Sequence, residues 1–210
     1  MFELKIKNIT FIAALNPLNF NKDWFVKNDV LKETEIISET IISTASFFQI
    51  GTADYNILIT SNQIIFNLIK DSDKELQSLK KLMLGVSNSS YRAIGINFTY
   101  FSPMANEKGE DWTKKLFYTN TPLHALFNSD DSRFGTYLSK DYQDCRLKLD
   151  IKPSAVQELP SSELKEVILY TFNYHKDTIN KSNEDLIKFI DKYSELKGYS
   201  ESILNTIYKQ

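Results

Sequence analysis

The residues nearest to a recognisable reaction are Asp150-Ile-Lys152, with Asp144 (or Asp141) shortly before them. In a metal-dependent phosphodiester hydrolase, two such carboxylates hold Mg²⁺ and the lysine steadies the attacking water. The pattern is weakly specific. Acid-x-Lys recurs by composition in a chain with 27 acidic residues and 22 Lys; Glu3-Leu-Lys5 is a second instance, and Pro153 directly follows Lys152. His175 precedes Lys176-Asp177, and as a general base it needs a carboxylate to orient it and a nucleophile in reach. Strand alternation sets it on the side of Asn173 and Thr171, opposite an aromatic ladder. Asn97, Asn173 and His175 are thus a candidate polar lining for a small ligand held between two halves of the chain.

The other reactive side chains read as structural. His124 lies in Pro122-Leu-His-Ala-Leu-Phe127, an apolar setting for a packed, hydrogen-bonded imidazole. A catalytic thiolate wants a helix N-terminus or an imidazolium nearby, and neither is evident around Cys145. One Cys and two His fall short of a structural zinc site. With six glycines and no G-x-x-x-x-G-K-[ST], G-x-G-x-x-G or G-x-S-x-G, the phosphate cradles and the nucleophile elbow are excluded. Asp130-Asp131 and Asp71-Ser-Asp73 lack the spacing of a calcium loop. No cofactor is expected, Mg²⁺ being the alternative that goes with the hydrolase reading.

Charge narrows the partners. A net charge of -2 supplies no field for a polyanion, and of 25 basic residues only Arg92, Arg133 and Arg146 are Arg. Bidentate phosphate contacts favour the guanidinium fork, so a nucleic-acid partner is not expected. No apolar run approaches the roughly 20 residues a bilayer requires, so no membrane span is expected. The start, Met1-Phe-Glu-Leu-Lys-Ile-Lys7, reads as a strand and not as a leader, and a lone cysteine forms no internal disulfide, so a cytoplasmic setting is expected. The sequons Asn8-Ile-Thr10, Asn88-Ser-Ser90, Asn97-Phe-Thr99 and Asn180-Lys-Ser182 carry no meaning without a secretion signal and are what an Asn-rich chain yields by chance.

Aromatics make up 13% of the chain, and most fall on strand faces that a core would bury. The exceptions are Phe20, Trp24 and Phe25, and Trp112, Phe117 and Tyr118, in irregular polar stretches. Large amphipathic rings of this kind anchor protein interfaces.

These residues are positioned by elements legible in the pattern. Period-2 alternation marks strands at Phe2–Leu15 (Phe2, Leu4, Ile6), Tyr91–Phe101 and Val167–His175, and shorter ones at Phe134–Ser139 and Arg146–Ile151. β-Branched density predicts a strand over Glu35–Ile50. Tyr55–Thr60 and Gln63–Ile69 flank Ser61-Asn62 as a hairpin. A short helix is read near Lys22–Leu31 and another around Asp111–Tyr118; Pro153 and Pro160 bracket a loop. Ser72-Asp-Lys-Glu75 is a capping box for a helix carrying Leu76, Leu79, Leu82 and Met83, with Gly85 as a left-handed stop. Ser182-Asn-Glu-Asp185 caps another, which Gly198 closes before a last helix at Ser200–Tyr208.

Without β-α alternation the expected class is α+β: mostly antiparallel sheet backed by amphipathic helices. The ladders Ile94-x-Ile96-x-Phe98-x-Tyr100 and Ile168-x-Tyr170-x-Phe172-x-Tyr174 suggest two degenerate halves, 1–103 and 133–210, around a linker or interaction loop at 104–132. The function expected from this inventory is non-enzymatic docking onto a protein partner or a second copy through 16–31 and 102–132, as an accessory or adaptor subunit of a microbial complex such as a phage-defence or mobile-element system. Metal-dependent hydrolysis through Asp144, Asp150 and Lys152, and small-ligand sensing, are the alternatives.

Overall fold

Alternating burial along several of the strands and side-chain caps at three helix starts set the architecture. The computed structural model describes residues 2–86, 91–103, 111–114, 134–157, 164–178 and 182–208. In chain order the elements are β1 (Glu3–Ala13), α1 (Lys22–Lys27), β2 (Ile42–Ser43), β3 (Phe47–Gly51), β4 (Tyr55–Thr60), β5 (Gln63–Leu68), α2 (Asp73–Gly85), β6 (Tyr91–Pro103), β7 (Thr136–Tyr142), β8 (Cys145–Val156), β9 (Lys165–Asp177), α3 and α4. The last two span Asn183–Asp191 and Tyr193–Ile207. The strands form an antiparallel sheet in the order β2-β3-β4-β5-β1-β6-β9-β8-β7, so the fold is α+β.

The chain divides into two compact units. One comprises Ile6–Asn97 with Tyr174–Gln210, the other Met1–Lys5 with Phe98–Asn173. In the first, Ile9 and Phe11 of β1, Ile57 and Ile59 of β4 and Ile64 and Phe66 of β5 are buried together. α1 starts at Asn21, whose side chain accepts from the Trp24 N–H at 2.8 Å. It delivers Phe25, fully buried, onto Phe48 with centroids 5.5 Å apart. Burial of one such ring contributes about 1.5–3 kcal/mol. α2 opens on the expected capping box, Glu75 accepting from the Ser72 N–H at 2.8 Å. Tyrosine hydroxyls then pin helices and loops to strands: Tyr91 donates to the Met83 carbonyl of α2 at 2.9 Å, Tyr174 to Leu196 of α4 at 3.1 Å, and Tyr55 to Val30 at 3.2 Å. In the second unit Phe2 and Phe172 both meet Tyr100 edge-on, and β7 and β8 form a hairpin burying Leu147, Leu149 and Ile151. The helical turn at 111–114 sets Trp112 edge-on to Tyr170, while Thr113 donates to the Phe134 carbonyl at 2.8 Å.

Several expectations are corrected. Glu35–Ile50 is not one strand but two 3₁₀ turns (Glu33–Glu35, Ser38–Thr40), then β2 and all of β3 except Gly51. The cause is local: the Thr40 hydroxyl donates to Ile37 at 2.6 Å and accepts from the Gly51 N–H at 2.8 Å, replacing ladder bonds by side-chain ones. Along β1 the buried set is Ile9, Phe11 and Ala13, whereas Ile6 is 47% exposed; adjacent exposed residues Lys5 and Ile6 mark a slip in the alternation. Gly85 is not left-handed. It is the last residue of α2, and a Cβ there would lie 3.1 Å from Cη2 of Trp24, so close approach of the indole selects glycine. Gly198 does not end a helix; the break falls at Lys192, and α4 runs through Gly198. Pro153 lies within β8, beyond the last β7 partner at Ile151, where a missing N–H costs the β7 ladder nothing.

Candidate functional site

In the unit of Ile6–Asn97 and Tyr174–Gln210, strand register converts single residues into rows on the face opposite the buried one. Asn56 is opposite Asn67, which is opposite Asn8. Leu58 is opposite both Gln49 and Ile65, and Ile65 is opposite Thr10. Phe47 is opposite Thr60, and Gln63 opposite Ile12. Gly51 extends the first row beyond Asn56, and Ile42 the second beyond Gln49.

Asn97 of β6 closes the asparagine row, its Nδ2 donating to Asn8 Oδ1 at 2.8 Å, a second pair alongside Asn67 Nδ2 to Asn56 Oδ1 at 2.8 Å. Thr10 Oγ1 also donates to Asn8 Oδ1, at 3.3 Å. These fourteen positions on six strands carry no charged side chain, although 25% of the chain is charged and about three or four charges would be expected. The side chains are half-buried or exposed, Gly51 excepted. Without a titratable group the face performs no acid–base chemistry; it offers pre-ordered carboxamides and aliphatic surface for binding.

The expected site residues are distributed as follows. Asn97 belongs to the asparagine row. Asn173 and His175 alternate with buried Phe172 and Tyr174 along β9, and His175 Nε2 lies 3.2 Å from Asp177 Oδ1. Asp150 and Lys152 point the same way from β8 and pair with each other at 3.0 Å. Asp144 is exposed in the β7–β8 turn, six residues from Asp150. At about 3.3 Å per strand residue that is about 20 Å, so the two carboxylates are not brought onto one ion. Among the described residues no three His, Cys, Asp or Glu side chains cluster as metal ligands. Cys145 is buried, its thiol 3.1 Å from the Tyr142 carbonyl.

Of the aromatic set, Phe20 and Phe25 are buried in the unit's own core, while Trp24 is half-buried between them and Gly85. Trp112 is held against Tyr170. Phe117, Tyr118 and His124 lie outside the described residues, as does most of 104–132.

In the sequence Asn8 reads only as part of a chance sequon, and Asn56 and Asn67 only as members of plain strands. The signal was there: Asn8, Thr10, Asn56, Thr60 and Asn97 are half-buried polar positions that alternate with fully buried ones. What the string lacks is the register that aligns them.

A second polar cluster is structural. Asp71 accepts from Lys7 of β1 at 2.7 Å and from Lys197 of α4 at 2.6 Å. Burial alone would raise the Asp71 carboxyl, but the two lysine hydrogen bonds outweigh it and hold the group below its usual value.

No helix among the described residues is long and apolar enough to cross a membrane. Comparison with known protein families and with curated proteins returns no significant match.

Proposed function

We propose that this chain is a non-enzymatic docking protein whose contact surface is the charge-free sheet face. The observation that carries the reading is the run of fourteen register-aligned positions without a charge. Depletion of charge, more than bulk hydrophobicity, distinguishes the core of a protein interface from other surface. α1, α2 and α4 support it by engaging side chains of the opposite face, through Phe25, Tyr91 and Tyr174. With strands about 4.8 Å apart and rows about 6.6 Å apart, the fourteen positions cover about 440 Å². That is about half of the roughly 800 Å² per partner of a standard interface, so on this reading the fourteen positions form the core of the contact and its rim extends beyond them.

The same reading takes the chain as a degenerate duplication. The strand order supports it: in β3-β4-β5-β1 and in β7-β8-β9-β6, the opening strand pairs with the last strand of a meander, and a helix follows.

The test is Ile65→Lys, at the middle of the grid. The tagged chain is recovered from its source organism and sized by chromatography with light scattering. The parent should elute with a stoichiometric protein partner, or at about twice 24.3 kDa if the partner is a second copy, and Ile65→Lys should elute alone with an unchanged circular dichroism spectrum. A parent that elutes as a bare monomer, or a complex that Ile65→Lys leaves intact, refutes the reading.

A further inference from the structure

On the charge-free face, polarity is matched across the line between β4 and β5. Within that hairpin Asn56 is opposite Asn67 and Leu58 opposite Ile65, and Thr60 lies beside Gln63. The flanking strands repeat the match. Gln49 of β3 corresponds in its row to Thr10 of β1, and Phe47 to Ile12. Gly51 corresponds to Asn8, so no side chain stands in the way of that carboxamide. The central carboxamides are also complementary in hydrogen bonding. Asn67 Nδ2 donates to Asn56 Oδ1 at 2.8 Å, which leaves Asn56 Nδ2 as a donor and Asn67 Oδ1 as an acceptor for a further partner.

We propose, resting on the docking reading above, that the partner of this face is a second copy of the chain. The two sheets pack face to face about a two-fold axis that runs along the strands, between β4 and β5. Such an interface is isologous, and this axis lays each residue on the counterpart in its own row. Leu58 meets Ile65 of the second copy, Asn56 meets Asn67 with donor facing acceptor, and every contact occurs twice. Sheets stacked in this way lie about 10 Å apart with their strands within about 30° of each other. A face built for an unrelated protein has no need to match itself across a line. Two copies join about 900 Å² of charge-free core, close to the roughly 1,000 Å² that a specific interface must clear, before any rim is counted. A net charge of -2 on each chain opposes the approach only weakly.

The test uses the purified full chain alone, sized by light scattering over a dilution series. The parent should approach twice 24.3 kDa when concentrated and fall towards 24.3 kDa on dilution. Leu58 and Ile65 are half-buried and alternate with the core residues, so charges there leave the core untouched. Leu58→Lys and Ile65→Glu should each weaken the dimer more than about 100-fold, the effect of an unpaired charge at its centre, with an unchanged circular dichroism spectrum. Mixed in equal amounts, the two variants should form a dimer again, because the axis sets the ammonium of one against the carboxylate of the other. A parent at 24.3 kDa at every concentration, a dimer indifferent to both substitutions, or a mixture that stays monomeric overturns the proposal. A monomeric purified parent beside a source-derived complex that Ile65→Lys dissolves overturns the second copy alone and leaves the docking reading standing, with a different protein as partner.

Discussion

Replacing Asp71 by Asn should loosen the junction of β1, the start of α2 and α4. The carboxylate is 18% exposed and the two lysines 16% and 31%, so water replaces little of what is lost. Hydrogen bonds to charged groups contribute about 1.5–3 kcal/mol each; with one weakly retained by the amide oxygen, the expected loss is about 2–4 kcal/mol. For a chain of this length that lowers the melting temperature by about 5–15 °C. Lys7→Met and Lys197→Met should each cost about 1 kcal/mol, because Asp71 keeps the other partner. In the Asp71→Asn background either should cost less than in the parent, since the shared partner is gone.

The pH dependence follows from the same geometry. The folded carboxyl titrates below its usual value, so its contribution is complete above the unfolded value of about 3.9 and fades as pH falls through the folded one. Urea unfolding followed by circular dichroism at pH 7 and at pH 3 should show the gap between parent and Asp71→Asn shrinking in acid. A gap under about 0.5 kcal/mol at pH 7, the scatter of an ordinary surface substitution, would refute the argument that the cluster holds these elements together.

Three further outcomes are expected. Phe25→Ala, removing a fully buried ring stacked on Phe48, should cost about 3–5 kcal/mol in urea unfolding. Gly198→Ala should stabilise by about 0.5–1 kcal/mol in the same assay, because the residue is inside α4 and nothing lies within 4 Å of the added Cβ. Burial pushes Tyr55 up to about 12, whereas an unfolded tyrosine ionises near 10. Stability should therefore fall as pH rises through that interval, by about 1.4 kcal/mol per unit at most, and Tyr55→Phe should flatten the slope between pH 10 and 11.

What the sequence by itself determined are the features governed by neighbours in the chain. The Ser72–Glu75 box, the β4–β5 hairpin and the alternations of Ile94–Tyr100 and Ile168–Tyr174 are all found where the residue pattern set them. The misreadings have a common cause, competition from groups remote in sequence. Thr40 bonds to Gly51 and breaks a β-branched run into turns. Trp24 explains Gly85 better than any backbone angle does. Packing of the Leu196, Ser200 and Leu204 side of α4 carries the helix across Gly198.

The candidate face was half legible, as three short Asn/Thr alternations read as chance sequons or plain strand. Antiparallel register decides whether such residues meet, because a one-residue slip would turn them to the buried side. Only the pairing of β5 between β4 and β1 brings Asn56, Asn67 and Asn8 into one row, and only the sheet order sets Asn97 beside them.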